Sequence, residues 1–161
     1  MLGFGARRGE QKKDTPHNIE TTGQFVVNMV DRELVSGMRT CGTDFPYGES
    51  EVEAAGLKLV PSRTVAVSRI RESPANLECR LFSRVQLSPH RLLVLGEILC
   101  IHIKDEAVDP KTMRIVPEHY DPLGRLYGTT YAWMRERFSM PLHTYEEVKG
   151  LSDRQQSIGH N

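Results

Sequence analysis

Hydrophobic and polar positions along this chain change period several times, and each change marks an element. Leu2 to Ala6 reads as a short strand and Arg7 to Asp14 as a polar loop. Pro16 suits the first turn of a helix because it has no N–H and a fixed φ, and it biases Thr15 toward the extended backbone of an N-cap. The spacing predicts a short helix capped by Thr15 and closed by Gly23 in the left-handed region. Gln24 to Val30 alternates Phe25, Val27 and Met29 against Val26, Asn28 and Val30, which predicts a central strand. Asp31 is placed to cap a second helix carrying Leu34, Val35, Met38 and Cys41 on one face and ending at Gly42. Glu49 to Ala55 predicts a third short helix closed by Gly56.

The pattern then turns to β. Thr64 to Ile70, Leu77 to Leu87 and Arg91 to Lys104 read as strands separated by Ser73-Pro74 and by Ser88-Pro89-His90, the last two forming a hairpin. Strict alternation along 91–104 puts Leu93, Leu95, Leu99 and Ile101 on one face with Glu97, and Val94, Ile98, Cys100 and His102 on the other. Both faces are apolar, so this strand is expected to be covered on both sides. Asp105 to Arg125 is irregular, and Tyr131, Met134, Arg135 and Phe138 recur at helical spacing before Pro141. The expected domain runs over 1–145, with 146–161 a polar, disordered tail.

Composition narrows the function classes. With 161 residues, 39% hydrophobic and 26% charged, the chain suits one globular domain. Twenty-one basic residues balance twenty-one acidic ones, so no overall field points to nucleic acid or an anionic membrane. Cys41, Cys79 and Cys100 are odd in number and without CxxC spacing, which fits reduced thiols in a cytoplasmic protein rather than a disulfide framework or a zinc site. No apolar run reaches membrane-spanning length.

Candidate chemistry is sparse. Lys12 and Lys13 precede a helix start whose free N–H groups and positive dipole end suit a phosphate, although an ordinary capped helix after solvated lysines is the plainer reading. Cys100 and His102 share a strand face, yet two ligands do not make a metal site, and a packed Cys with a hydrogen-bonded His accounts for them. Glu97 in an apolar strand calls for a salt-bridge partner. GxSxG, HExxH, Walker and GxGxxG patterns are absent from the sequence, which removes the common hydrolase, zincin and nucleotide-fold readings.

The string as a whole resembles a known family. Lys13-Asp14-Thr15 with Asn18-Ile19, then Thr22-Gly23-Gln24-Phe25-Val26-Val27-Asn28, is similar to the flavin reductase-like, FMN-binding split-barrel domain. Asp44-Phe45-Pro46, Glu53-Ala54-Ala55-Gly56-Leu57, Val60-Pro61-Ser62, Glu72-Ser73-Pro74, Leu77-Glu78-Cys79, Leu95-Gly96-Glu97, Tyr131, Arg137-Phe138 and Met140-Pro141 follow in the family's order, closest to the branch with nitrilotriacetate monooxygenase component B. The resemblance implies a β-rich α+β split barrel and a homodimer. It also implies FMN as cofactor, NAD(P)H as hydride donor and an oxygenase or other acceptor for the reduced flavin.

By the same resemblance, Lys12, Lys13 and Thr15 contact the FMN phosphate, Asp14 orients the basic side chains and Asn18 completes the turn, while Tyr131 and Phe138 help to cover the site or the partner's site. The catalytic residues stay unassigned, since the flavin carries the redox chemistry. An electron carrier without NAD(P)H turnover and a non-catalytic dimerising remnant remain as alternatives. Family members carry further strands ahead of the one that Leu2 to Phe4 matches, so the barrel is expected to be incomplete at the N-terminus, through a misplaced start or a genuine short form.

Overall fold

A computed structural model describes residues 1–5, 13–46, 48–134 and 136–149. The elements run β1 (Leu2–Gly5), α1 (Asp14–Thr22), β2 (Gln24–Asn28), α2 (Val35–Cys41), α3 (Glu51–Ala54), β3 (Leu59–Val60), β4 (Arg69–Ile70), β5 (Ala75–Ser88), β6 (Arg91–Ile103), β7 (Val108–Asp109), β8 (Arg114–Ile115), β9 (Leu123–Tyr127) and β10 (Thr130–Trp133). This is the strand-rich α+β arrangement that the resemblance implies.

The organising unit is the long β5–β6 hairpin. Antiparallel β1 pairs with the first part of β6, and β2 with the first part of β5, giving a four-stranded sheet in the order β1-β6-β5-β2. Among the described residues β2 therefore lies at the sheet edge, not at its centre as its apolar alternation predicted. One face of this sheet and the inner side of α1 enclose the core: Ile19, Phe25, Cys79, Leu92 and Val94, with Leu2, Phe4, Val27, Leu77 and Leu81 packed on them. Gly96 is required by that packing, because a Cβ there would lie 2.4 Å from Phe25 Cζ.

Irregularities in the hairpin matter more than its length. A bulge leaves Cys79 opposite Ile98 and Glu78 opposite Cys100, so Leu99 is the extra residue and alternation breaks there. Ile98 and Cys100 consequently do not share a face. The expectation that both faces of this strand are covered also fails: Ile98, Leu99 and Ile101 are exposed.

The Thr64 to Ile70 stretch is a strand only at Arg69–Ile70, which pairs with Leu59–Val60. Around it several backbone N–H groups are taken by side chains instead of a ladder: those of Arg63 and Thr64 donate to Glu78, that of Ala66 to Gln24 Oε1, and that of Ile70 to Asn28 Oδ1. A loop held this way satisfies its donors without strand pairing.

The predicted helix around Tyr131 is also absent among the described residues, outside which Arg135 lies. Tyr131 lies on β10, paired with β9 through a tight turn in which Gly128 adopts φ 53°. The hairpin is tied to the chain just after β2, where Leu123 N–H donates to the Val30 carbonyl at 2.9 Å and the Arg32 guanidinium lies 4.4 Å from the Trp133 ring centroid. Residues 145–149 are helical, begun by a capping box in which Thr144 and Glu147 bond one another's backbone N–H. The rest of the predicted tail, from 150 on, lies outside the described residues. Among the described residues no helix is long and apolar enough to cross a membrane.

Candidate functional site

Helix α1 starts earlier than the Pro16 rule predicts. Lys13, with φ −71° and ψ 153°, takes the N-cap position, so Thr15 is inside the first turn rather than capping it. Pro16 still occupies the first turn, where its missing N–H costs nothing, and it packs inward with Ile19. At the other end Gly23, at φ 67°, donates its N–H to the Ile19 carbonyl at 2.9 Å, as its position predicted.

The side chain of Lys13 at the N-cap makes no cap hydrogen bond to α1. Beside it a cleft opens between α1, β1 and the turn of the long hairpin. Phe4, Gly5, Pro16 and Leu92 form its apolar parts, and Lys13, Glu20, His90 and Arg91 its polar ones. Arg84 ion-pairs with Glu20, so the carboxylate on this wall is compensated and the local balance is positive. The first-turn N–H groups of α1 beside Lys13 and Arg91 suit a phosphate monoester.

Of the site residues expected from the sequence, Lys13 reaches the cleft. Thr15 and Asn18 sit one turn apart on the exposed stripe next to it, and Asp14 opens the helix half-buried. Lys12 lies outside the described residues. Tyr131 and Phe138 are not brought to this end of the chain. Tyr131 belongs to the β9–β10 hairpin, whose Arg125 guanidinium lies 5.8 Å from its ring centroid, and Phe138 follows that hairpin fully exposed. That hairpin is anchored after Asn28, which aligns with Asn76, whereas Lys13 meets the Ser88–Arg91 end of the β5–β6 ladder. The two places thus lie toward opposite ends of one long hairpin. His90 and Arg91 were missed, although a basic pair in a Pro-containing hairpin turn was visible as a signal.

A second cluster was also missed. Glu78 is completely buried, and its carboxylate accepts from Arg63 N–H (2.8 Å), Thr64 N–H (2.6 Å) and the Thr64 hydroxyl (2.6 Å), while His102 Nε2 lies 2.5 Å away. Burial by itself would raise its pKa, but the Thr64 hydroxyl, the Arg63 N–H, His102 and the Thr64 N–H together hold it down at about 2. Asn76 and Asn28 extend this polar layer, with Asn76 Nδ2 donating to Asn28 Oδ1 at 2.8 Å. In the sequence, Asn76 and Glu78 alternate with Leu77 and Cys79, a polar inner face within an apolar strand. Glu97, by contrast, meets Arg80 at 2.6 Å in an exposed salt bridge, as its isolation among apolar residues predicted.

The chain matches the family model of the flavin reductase like domain over residues 1–136. It is 38% identical to the 2-nitrobenzoate 2-nitroreductase of Pseudomonas fluorescens, with a TM-score of 0.75 over 82% of this chain and 66% of that one. With nitrilotriacetate monooxygenase component B of Bacillus cereus it shares 28% identity and a TM-score of 0.79, over 86% and 70%. A protein with a split barrel domain from Shewanella frigidimarina shares the fold at a TM-score of 0.74 and 22% identity, over 88% and 70%. Uncharacterised proteins of Deinococcus radiodurans and Aquifex aeolicus are 34% and 35% identical over 89% and 81% of this chain, which spans 63% and 66% of their lengths. A strand-rich fold built on the β5–β6 hairpin and a match over most of the sequence lead to one conclusion: the chain belongs to the flavin reductase-like split-barrel family.

Proposed function

We propose that this protein is an FMN-binding oxidoreductase of the flavin-reductase type, working as a homodimer in the cytoplasm and transferring hydride from NAD(P)H to FMN. The observation that carries the reading is Lys13 at the N-cap of α1, lining one cleft with His90 and Arg91. Lys13 and Arg91 would hold the phosphate, with the first-turn N–H groups and the Thr15 hydroxyl alongside. Asp14 and Asn18 would steady that turn, with Lys12 as a further cation. When bound, FMN supplies the hydride acceptor, so this chain's own residues need only bind, orient and shield it.

Exposed Phe82, Val85, Leu87, Ile98 and Ile101 on the long hairpin favour burial against a second copy, through which Tyr131 and Phe138 would reach a partner's site. The described cysteines are all unpaired thiols, which fits a reducing compartment. Nitrilotriacetate monooxygenase component B is by name one part of a two-part oxygenase. An oxygenase that accepts reduced flavin is therefore the partner class proposed here.

The test uses the purified chain. FMN is expected to raise its melting temperature and to lose fluorescence on binding, and NADH or NADPH is expected to bleach the bound flavin without oxygen. Binding without bleaching would leave a flavin electron carrier. No binding at all would leave a non-catalytic dimer and end both flavin readings.

A further inference from the structure

Cys100 and His102 on their own offer two ligands, and the fold supplies a third. The bulge that takes Ile98 to the other face leaves Cys100 opposite Glu78, so Glu78, Cys100 and His102 converge beneath the 62–68 loop. His102 Nε2 lies 2.5 Å from Glu78 Oε1 and 3.7 Å from Cys100 Sγ, and the three ligand atoms lie within 4.8 Å of one another. We propose that Glu78 Oε1, Cys100 Sγ and His102 Nε2 form a three-ligand site for a borderline divalent cation of the Zn²⁺ kind.

The donor set selects the ion class. Thiolate, imidazole and carboxylate together suit Zn²⁺ and Co²⁺, whereas Mg²⁺ and Ca²⁺ require oxygen ligands throughout. Tetrahedral zinc with ordinary bond lengths places sulfur and nitrogen about 3.6 Å apart and nitrogen and oxygen about 3.4 Å apart. The Cys100–His102 separation already meets the first value, at 3.7 Å. The second is reached when the His102 ring withdraws by roughly 1 Å, and at 26% side-chain exposure it has solvent on one side to move toward.

Glu78 does not have to move. Its Arg63 and Thr64 donors belong to the outer shell that orients a metal-bound carboxylate, and they persist when the ion takes the place of the imidazole proton. On metal binding the proton between His102 Nε2 and Glu78 Oε1 leaves to solvent while His102 holds its one proton on Nδ1, taken from solvent where the free ring carried none there; the Cys100 thiol also releases its proton to solvent, and no electron is transferred. Water from the exposed side completes four-coordination, and the ion joins β5 to β6 under the loop.

The experiment titrates the metal-free protein with Co²⁺ and reads the difference spectrum. One Co²⁺ per chain is expected, with a thiolate-to-cobalt charge-transfer band that Zn²⁺ abolishes by displacement. Cys100→Ser and, separately, His102→Gln are expected to remove the band, and Cys41→Ser to leave it intact. Thr64→Val removes no ligand but loosens Glu78, and it should weaken Zn²⁺ binding by about tenfold. Circular dichroism on each variant distinguishes a lost site from a lost fold. Absence of the band in the native protein overturns the site, as does a band that survives in folded Cys100→Ser.

Discussion

The ring of Phe25 lies so close over Gly96 that a single added methyl would overlap it, with Cβ only 2.4 Å from Cζ. Phe25 is a core residue on β2 and Gly96 the point on β6 that lets the ring cross the sheet. Gly96→Ala is therefore expected to destabilise the fold by about 1–3 kcal/mol through overpacking. Urea unfolding checks it. A variant as stable as the native chain would mean that the ring shifts aside without cost.

Glu78 gives the protein an acid-sensitive contribution. Its folded pKa of about 2 lies below the ordinary value of 4.5, so the folded state keeps the carboxylate ionised where the unfolded chain has begun to take up a proton. This stability is fully present above the ordinary carboxylate range and is lost as pH falls from 4.5 toward about 2. Glu78→Gln should remove that part of the acid limb. At neutral pH it should also cost about 1–3 kcal/mol, since an amide NH₂ would face the Arg63 N–H. Unfolding free energies measured across pH for both proteins decide it.

The phosphate assignment has a direct chemical control in riboflavin, which lacks the phosphate. Lys13→Ala with Thr15→Ala is expected to weaken FMN binding about tenfold or more while leaving riboflavin nearly unaffected, since a hydrogen bond to a charged group contributes about 1.5–3 kcal/mol. Flavin fluorescence titration measures both ligands. Equal weakening would remove the assignment.

Arg84 tests the electrostatics of the same cleft from behind. It does not line the cleft, but it neutralises Glu20, which does. Arg84→Ala should uncover that carboxylate and weaken FMN more than riboflavin, and adding Glu20→Gln should restore the affinity. Failure of the double variant to recover would show that Arg84 acts through packing instead.

The exposed apolar residues of the long hairpin make the proposed dimer testable. Ile98→Asp with Ile101→Asp is expected to shift the protein toward the monomer in light scattering after size-exclusion chromatography. An unchanged mass would place the interface elsewhere.

Much of the fold was readable from local pattern. The β5–β6 hairpin, the left-handed Gly23 cap and the short helices closed by Gly42 and Gly56 each rest on neighbouring residues, where periodicity and turn chemistry act over a few positions. The run of motifs around Lys13-Asp14-Thr15 and Thr22 to Asn28 likewise carried the family, because it depends on residue order alone.

What the tertiary structure decided depends on pairing between distant segments. Tyr131 reads as helical by spacing, yet the Gly128 turn and pairing with β9 make it a strand. The Thr64 to Ile70 stretch reads as a strand, yet Glu78 and Gln24 claim N–H groups of it from 14 and 42 residues away. Arg91 joins Lys13 only because the hairpin turn folds back beside α1, and Cys100 meets Glu78 only because the bulge at Leu99 resets which side chains share a face. Local sequence sets the period of each element; long-range hydrogen bonding sets where the period breaks, and both proposed sites are built from what distant segments bring together.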